Sequence, residues 1–186
     1  MIKRLLIIIL GLSFTSMNAQ FIKEKSINTS VGFGLSAPYE DIDVYGSGFY
    51  AQGELVLKAA SWVDFRPYAG VILTKDRDNN DSSLPPELKS TANAFMTGLK
   101  TRIKAPIPYV SPFIEIGVGF SVGSFETVTF TQNINKSGFL FHIPFSLGLE
   151  LGKNHNVDLA FTYYFHESAE QFSGAFAVGI NFPLGK

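Results

Sequence analysis

Residues 139–151 read FLFHIPFSLGLEL. The odd positions, Phe139, Phe141, Ile143, Phe145, Leu147, Leu149 and Leu151, are all large and apolar. The even positions, Leu140, His142, Pro144, Ser146, Gly148 and Glu150, are mostly small or polar. A period of two predicts a β-strand whose faces meet different surroundings. One such apolar face spans about 40 Å at roughly 3.3 Å per residue, longer than most soluble strands and suited to a tilted bilayer crossing.

The rest of the composition agrees with that stretch. The chain has 186 residues, enough for one domain with a full core, and a formal net charge of −1, so no strong field recruits nucleic acid. Charged residues make up 17% and aromatic residues 14%, with 18 Phe, which implies a large surface that does not face water. Beyond the first 19 residues no apolar run approaches the roughly 18 residues of a membrane helix. A membrane location therefore requires a closed barrel, since only helices and closed barrels satisfy their backbone in lipid. With no Cys, disulfides, thiolate metal sites and a Cys nucleophile are excluded.

Residues 1–19 have the make-up of a secretory signal peptide. Lys3 and Arg4 form a positive start, an apolar run follows from Leu5 to Leu12, and Ser16, Asn18 and Ala19 precede an expected cut before Gln20. Residues 20–186 then form one barrel domain. Eight strands are predicted over 26–36, 48–58, 63–74, 92–104, 110–122, 139–151, 156–165 and 173–182. The connections 59–62, 105–109 and 152–155 are short, whereas 37–45, 75–91, 123–136 and 166–172 are longer and more polar. Short turns on one rim and long loops on the other are the pattern of outer-membrane barrels, with the short turns periplasmic.

The two faces separate cleanly by parity. One carries Val31, Phe33, Leu55, Phe65, Leu73, Phe95, Leu99, Ile103, Ile114, Ile116, Val118, Phe120, the Phe139 series, Phe161, Tyr163, Phe165, Phe176, Val178, Ile180 and Phe182. The other carries Gly, Ser and most of the charges. A soluble lipocalin-type barrel would hold the apolar set inside and present a charge-dense exterior. Here the polar face is crowded with Gly and Ser, which suits a narrow lumen. Aromatics at the strand ends, with Phe33, Phe120, Phe139, Phe141, Tyr163 and Phe165 at one rim and Trp62, Phe65, Tyr109 and Phe182 at the other, match two girdles.

On these residues the chain resembles the small eight-stranded outer-membrane barrels of the OmpA-like and OmpW-like kind, over its leader and essentially all that follows. The last strand, GAFAVGINFPLGK, resembles the signal read by the barrel-assembly machinery, although Pro183 to Lys186 follow Phe182. The resemblance implies an all-β, eight-stranded, antiparallel up-and-down transmembrane barrel in the outer membrane of a Gram-negative bacterium. The implied partners are outer-membrane lipid, lipopolysaccharide and the assembly machinery, with no cofactor.

Several constellations are candidates for function. Glu54, Glu115, Glu150 and Asp158 would face Arg66, Lys100 and Arg102 inside the lumen, with His142 beside them, as paired charges forming a polar plug. His166 and Ser168, with Glu170 nearby, resemble in spacing the outer-membrane lipid A deacylases, but Ala169 stands where those enzymes place Asn, and His166 has inward parity. Asp76, Asp78, Asn80 and Glu87 partly fit a calcium-loop spacing, yet the turn glycine is replaced by Asp81, and Pro85 and Pro86 intervene. A three-histidine metal site is unsupported, because His142, His155 and His166 map to the lumen, a turn and the opposite rim. Pro67, Pro112 and Pro144 predict bulges or strand ends. The expected role is structural or surface-interacting through the outer loops, leaning away from an enzyme. The alternatives are a lipid A-modifying hydrolase and a narrow porin-like channel for small solutes.

Overall fold

The computed structural model describes residues 22–40, 42, 44–76 and 88–184. It contains β1 (Glu24–Pro38), β2 (Gly46–Lys58), β3 (Val63–Asp76), β4 (Lys89–Lys104), β5 (Val110–Val128), β6 (Asn133–Leu151), β7 (Val157–His166) and β8 (Gln171–Leu184). Each strand pairs antiparallel with the next, and β8 returns to β1, so the sheet closes as an up-and-down barrel. Among the described residues no helix is long and apolar enough to cross a membrane, and the one helical turn is Glu167–Ala169. The expected leader, residues 1–19, lies outside the described residues.

The register can be followed around the wall. Glu24 pairs with Lys58, Lys58 with Asp64, Asp64 with Arg102, and Arg102 with Glu115. The row continues through Ser146, Thr162 and Ala175 and meets β1 again at Gly34, ten residues beyond its start. Such a stagger accompanies strands inclined at about 35–45° to the barrel axis.

Parity then decides what faces where. From Phe139 to Leu149 the odd residues of β6 are exposed on the outer wall, while His142, Ser146 and Glu150 are buried. The same alternation puts Phe33, Ile116, Val118, Phe176 and Ile180 outside and Asn28, Glu54, Arg66, Lys100 and Asp158 inside. Phe33 is 74% and Phe139 is 69% exposed. Apolar residues cover the outside and charges fill the inside, the inverse of a water-soluble barrel.

Two sequence expectations require correction. None of the three prolines produces a bulge, because every ladder keeps one register throughout. Pro67 opens the β2–β3 ladder opposite Leu55 and Val56 yet still pairs with Leu99 on β4. Pro144 opens the β5–β6 ladder at Gly117 and Val118 yet pairs with Tyr164 on β7. In an antiparallel ladder a residue directs its N–H and C=O to the same neighbour, so proline disturbs one side only. Pro112 does mark a strand end as expected, sitting third in β5 just past the point where the β4 ladder stops at Lys104 and Phe113.

The second correction concerns the predicted loop 123–136. Pairing runs on from Ser124 with Ser137 to Val128 with Asn133, leaving a connection of only 129–132. Thr129 closes it, its N–H donating to Gln132 O at 2.8 Å and its hydroxyl accepting from Gln132 N at 3.0 Å. Gly138, at φ +103°, pairs with Gly123 at the base of this extension, a conformation that glycine adopts without strain. Beyond it Asn133, Asn135, Lys136 and Ser137 are exposed, and β7 pairs with β6 only from Ile143 onward.

Candidate functional site in the barrel lumen

The row that begins at Glu24 alternates in sign: Glu24, Lys58, Asp64, Arg102, Glu115. Opposite charges on register neighbours lie within reach of one another across a sheet. One row over, Arg66 and Lys100 face each other as like charges, and carboxylates from neighbouring strands separate them. Arg66 Nη1 donates to Glu54 Oε2 at 2.8 Å, and Lys100 binds Glu54 Oε1 and lies 3.0 Å from Glu115 Oε2. Arg102 donates from Nε to Glu115 at 2.7 Å and from Nη1 to Asp158 at 2.7 Å and Glu150 at 2.9 Å.

All seven charged residues expected in the lumen therefore meet in one network. Two more belong to it that parity alone would have found: Asp64 and Lys104. Lys104 Nζ donates to Asp64 Oδ2 at 3.1 Å and Glu150 Oε2 at 3.0 Å. Side-chain exposure in the network is 8% or less. Breaking such a pair leaves an uncompensated buried charge, which costs several kcal/mol. The void left beside it is about 20 Å³, no more than a water needs.

His142 lies outside this network. It belongs to a neutral belt further along the barrel, where Tyr68 hydrogen-bonds its Nε2 and Ser121 Oγ sits 2.7 Å from its Nδ1. Tyr68 spans Gly98 and Gly119 to reach it, and a Cβ on Gly119 would come within 2.3 Å of the Tyr68 hydroxyl. Ser121 also lies 2.8 Å from His166 Nε2. A hydroxyl has a single proton, so Ser121 can donate to only one of the two imidazoles. Tyr50 and Tyr164 share a 2.8 Å hydrogen bond, and Tyr164 donates to Gln52, which bonds Glu54.

Toward the loop end the lumen turns apolar. Ile72, Met96, Phe125 and Leu140 pack there beneath a layer of Ser36, Thr74, Ser90, Thr127 and Gln171. The sequence reading passed over this half, having followed the polar residues rather than the inward parity of Tyr50, Tyr68, Ile72 and Met96.

The remaining candidates fall apart from one another. His166 is fully buried and its ring centroid is 5.3 Å from that of His142, not at a distant rim. Ser168 is exposed on the helical turn, and Glu170 closes that turn at φ +47°. No hydrogen bond joins His166 to Ser168 among the described residues. Asp76 ends β3, whereas Asp78, Asn80 and Glu87 lie outside the described residues. Among the described residues no group of three or more His, Asp or Glu is placed to hold a metal.

No protein-family model matches the chain, and no curated protein does. Solved structures do match. Neisserial surface protein A shares 10% identity at a TM-score of 0.57, over 86% of this chain and 97% of that one. The chain has the fold of the eight-stranded outer-membrane barrels. Ail, the attachment invasion locus protein of Yersinia pestis, matches at 15% identity and a TM-score of 0.49, over 87% of this chain and 99% of its own. The outer membrane protein OprG from Pseudomonas aeruginosa matches at 10% identity and 0.49, over 88% and 98%.

Proposed function

We propose that the chain is an outer-membrane barrel of a Gram-negative bacterium, exported by its leader and acting at the cell surface through its outer loops, without a conducting lumen. The observation that carries this reading is the pairing of an apolar outer wall with a lumen filled by a closed salt-bridge network. In lipid, the outward Phe, Leu, Ile and Val are in their preferred solvent, and the return of β8 to β1 closes the sheet so that neighbouring strands satisfy one another's backbone. The β5–β6 hairpin supports the surface role. Its β6 strand runs on without a β7 partner and exposes both faces, while its β5 strand stays paired with β4 as far as Val128, and Phe130 at the tip is 63% exposed. Lipopolysaccharide and the barrel-assembly machinery are its proposed contacts during residence and insertion.

The test is expression in a Gram-negative host. Recovery in the outer-membrane fraction with heat-modifiable gel migration is expected, together with no discrete conductance steps in planar bilayers. A freely soluble, detergent-independent fold would overturn the membrane reading. Regular unit conductance would overturn the sealed lumen.

A further inference from the structure

The apolar outer wall is not smooth. Register neighbours Ile103, Ile114, Leu147, Phe161 and Phe176 form one outward row across β4 to β8. A second row, Pro112, Leu149 and Leu159, runs beside it two residues nearer the short turns. The rows stand about 7 Å apart at roughly 3.3 Å per residue, which leaves room for a single acyl chain. Between them lies a groove of about 720 Å³ floored by the backbone of Phe113, Gly148 and Ala160. The first row crosses five strands, a length of about 19 Å at roughly 4.8 Å between neighbours. Ala105, whose N–H donates to Pro112 O at 3.0 Å, and Pro112 itself keep the second row low at its β4 end.

Beyond that end, the turns that join β4 to β5 and β6 to β7 are tied together, Gly152 N–H donating to the Tyr109 carbonyl at 2.8 Å. Tyr109 is 63% exposed, an apolar ring with a polar tip of the kind that sits where a membrane meets water. Lys153, beside Gly152, is exposed and makes no ion pair among the described residues. It lies at most about 13 Å from Leu149 along the chain at roughly 3.3 Å per residue, a gap that a lysine side chain and a glycerol unit can bridge. Exposed charge at this end is mostly of one sign. Lys23, Lys25 and Lys153 are exposed there, and Glu24 pairs with Lys58 at 2.5 Å.

The wall thus offers an apolar slot one chain wide, with an unpaired cation at the adjoining water boundary. A lipid with an anionic headgroup has the same two parts. We propose that this groove seats one acyl chain of an anionic glycerophospholipid from the periplasmic leaflet, with its phosphate at Lys153 and its glycerol level with Tyr109. The inference rests on the membrane reading above, which sets the short turns on the periplasmic side and so excludes lipopolysaccharide from the groove.

The experiment uses the barrel in phosphatidylcholine nanodiscs with a trace of phosphatidylglycerol carrying a nitroxide on its acyl chain. Broadening of methyl resonances is the readout. Ile114, Leu149 and Leu159 are expected to broaden severalfold more than Ile27 and Leu55, which face outward at a similar distance from the short turns on the far wall. Lys153→Gln should lower the apparent affinity about fivefold, the effect of one lysine beside an anionic headgroup, and leave it equal to that of labelled phosphatidylcholine. Leu149→Trp, which fills the groove from its outer face, should remove the excess at Ile114 and Leu159 for both lipids. Neither change touches the plug. Uniform broadening around the wall, no preference between the headgroups, or full binding by both variants would overturn the site while leaving the membrane reading intact. A chain that does not insert into the nanodisc would overturn both.

Discussion

Arg102 and Glu115 are register partners across β4 and β5, and Arg102 Nε donates to Glu115 Oε1 at 2.7 Å. The same guanidinium reaches Glu150 and Asp158, which oppose each other as like charges between β6 and β7. Like charges directly opposite destabilise a sheet. Arg102 therefore turns a repulsive pair into part of a closed network.

Arg102→Leu leaves three carboxylates short of a partner, and the cost of breaking a buried pair is about 3–5 kcal/mol. Urea unfolding in lipid vesicles, followed by tryptophan fluorescence, is expected to show that loss. Adding Asp158→Asn should recover part of it, because one unpaired charge is removed. A double variant no more stable than Arg102→Leu would contradict the charge account.

Gly119→Ala tests the neutral belt. The new Cβ would meet the Tyr68 hydroxyl at 2.3 Å, His142 Nε2 at 2.5 Å and the Thr97 carbonyl at 2.6 Å. Overpacking of this kind costs about 1–3 kcal/mol. The imidazole resonances of His142 should shift as its bond to Tyr68 is displaced. Unchanged His142 resonances would show that Tyr68 does not reach it.

Pro144→Ala restores a backbone donor where the β5–β6 ladder is open. The added N–H can bond toward Gly117, worth about 0.5–1.5 kcal/mol net. Higher stability and a slowly exchanging amide at position 144 are expected. Rapid exchange there would mean that the gap has another cause.

Tyr39 gives the alkaline signature of the loop end. Its ring stacks on Phe165 at 5.2 Å and lies 4.4 Å from Phe172. Burial, followed by the Glu167 and Glu170 carboxylates, pushes its hydroxyl up to about 12 from the ordinary 10.0. A raised folded value means that this contribution to stability is complete below pH 10.0 and is lost as the pH climbs toward 12. The absorbance difference at about 295 nm between the wild type and Tyr39→Phe should have its midpoint near 12. A midpoint near 10 would place Tyr39 in open solvent.

Much of the barrel was legible because its signal is local. Alternation in Phe139–Leu151 and its neighbours sets strand, face and number together, and the charged plug follows from inward parity. What was missed needed pairing information. The polar run 123–136 looks like a loop until Ser124 is matched with Ser137. Asp64 and Lys104 sit at strand ends, where sequence boundaries blur, and so escaped the plug. His142 and His166 are separated by a whole hairpin in sequence, so only the register shows that Ser121 lies between them. Proline's side-specific effect likewise depends on which neighbour its nitrogen faces.

The ten-residue offset with which the row from Glu24 returns at Gly34 makes the wall intolerant of frame changes. One residue inserted between Leu99 and Lys100 would rotate the remainder of β4 by half a pleat. Lys100 and Arg102 would then project into hydrocarbon, at up to about 2–4 kcal/mol each, and Thr101 and Ile103 would turn into the plug. Evolutionary lengthening is thus confined to the connections, where an added residue shifts no face. Length variation among relatives of this chain should accumulate in its loops and spare its strands.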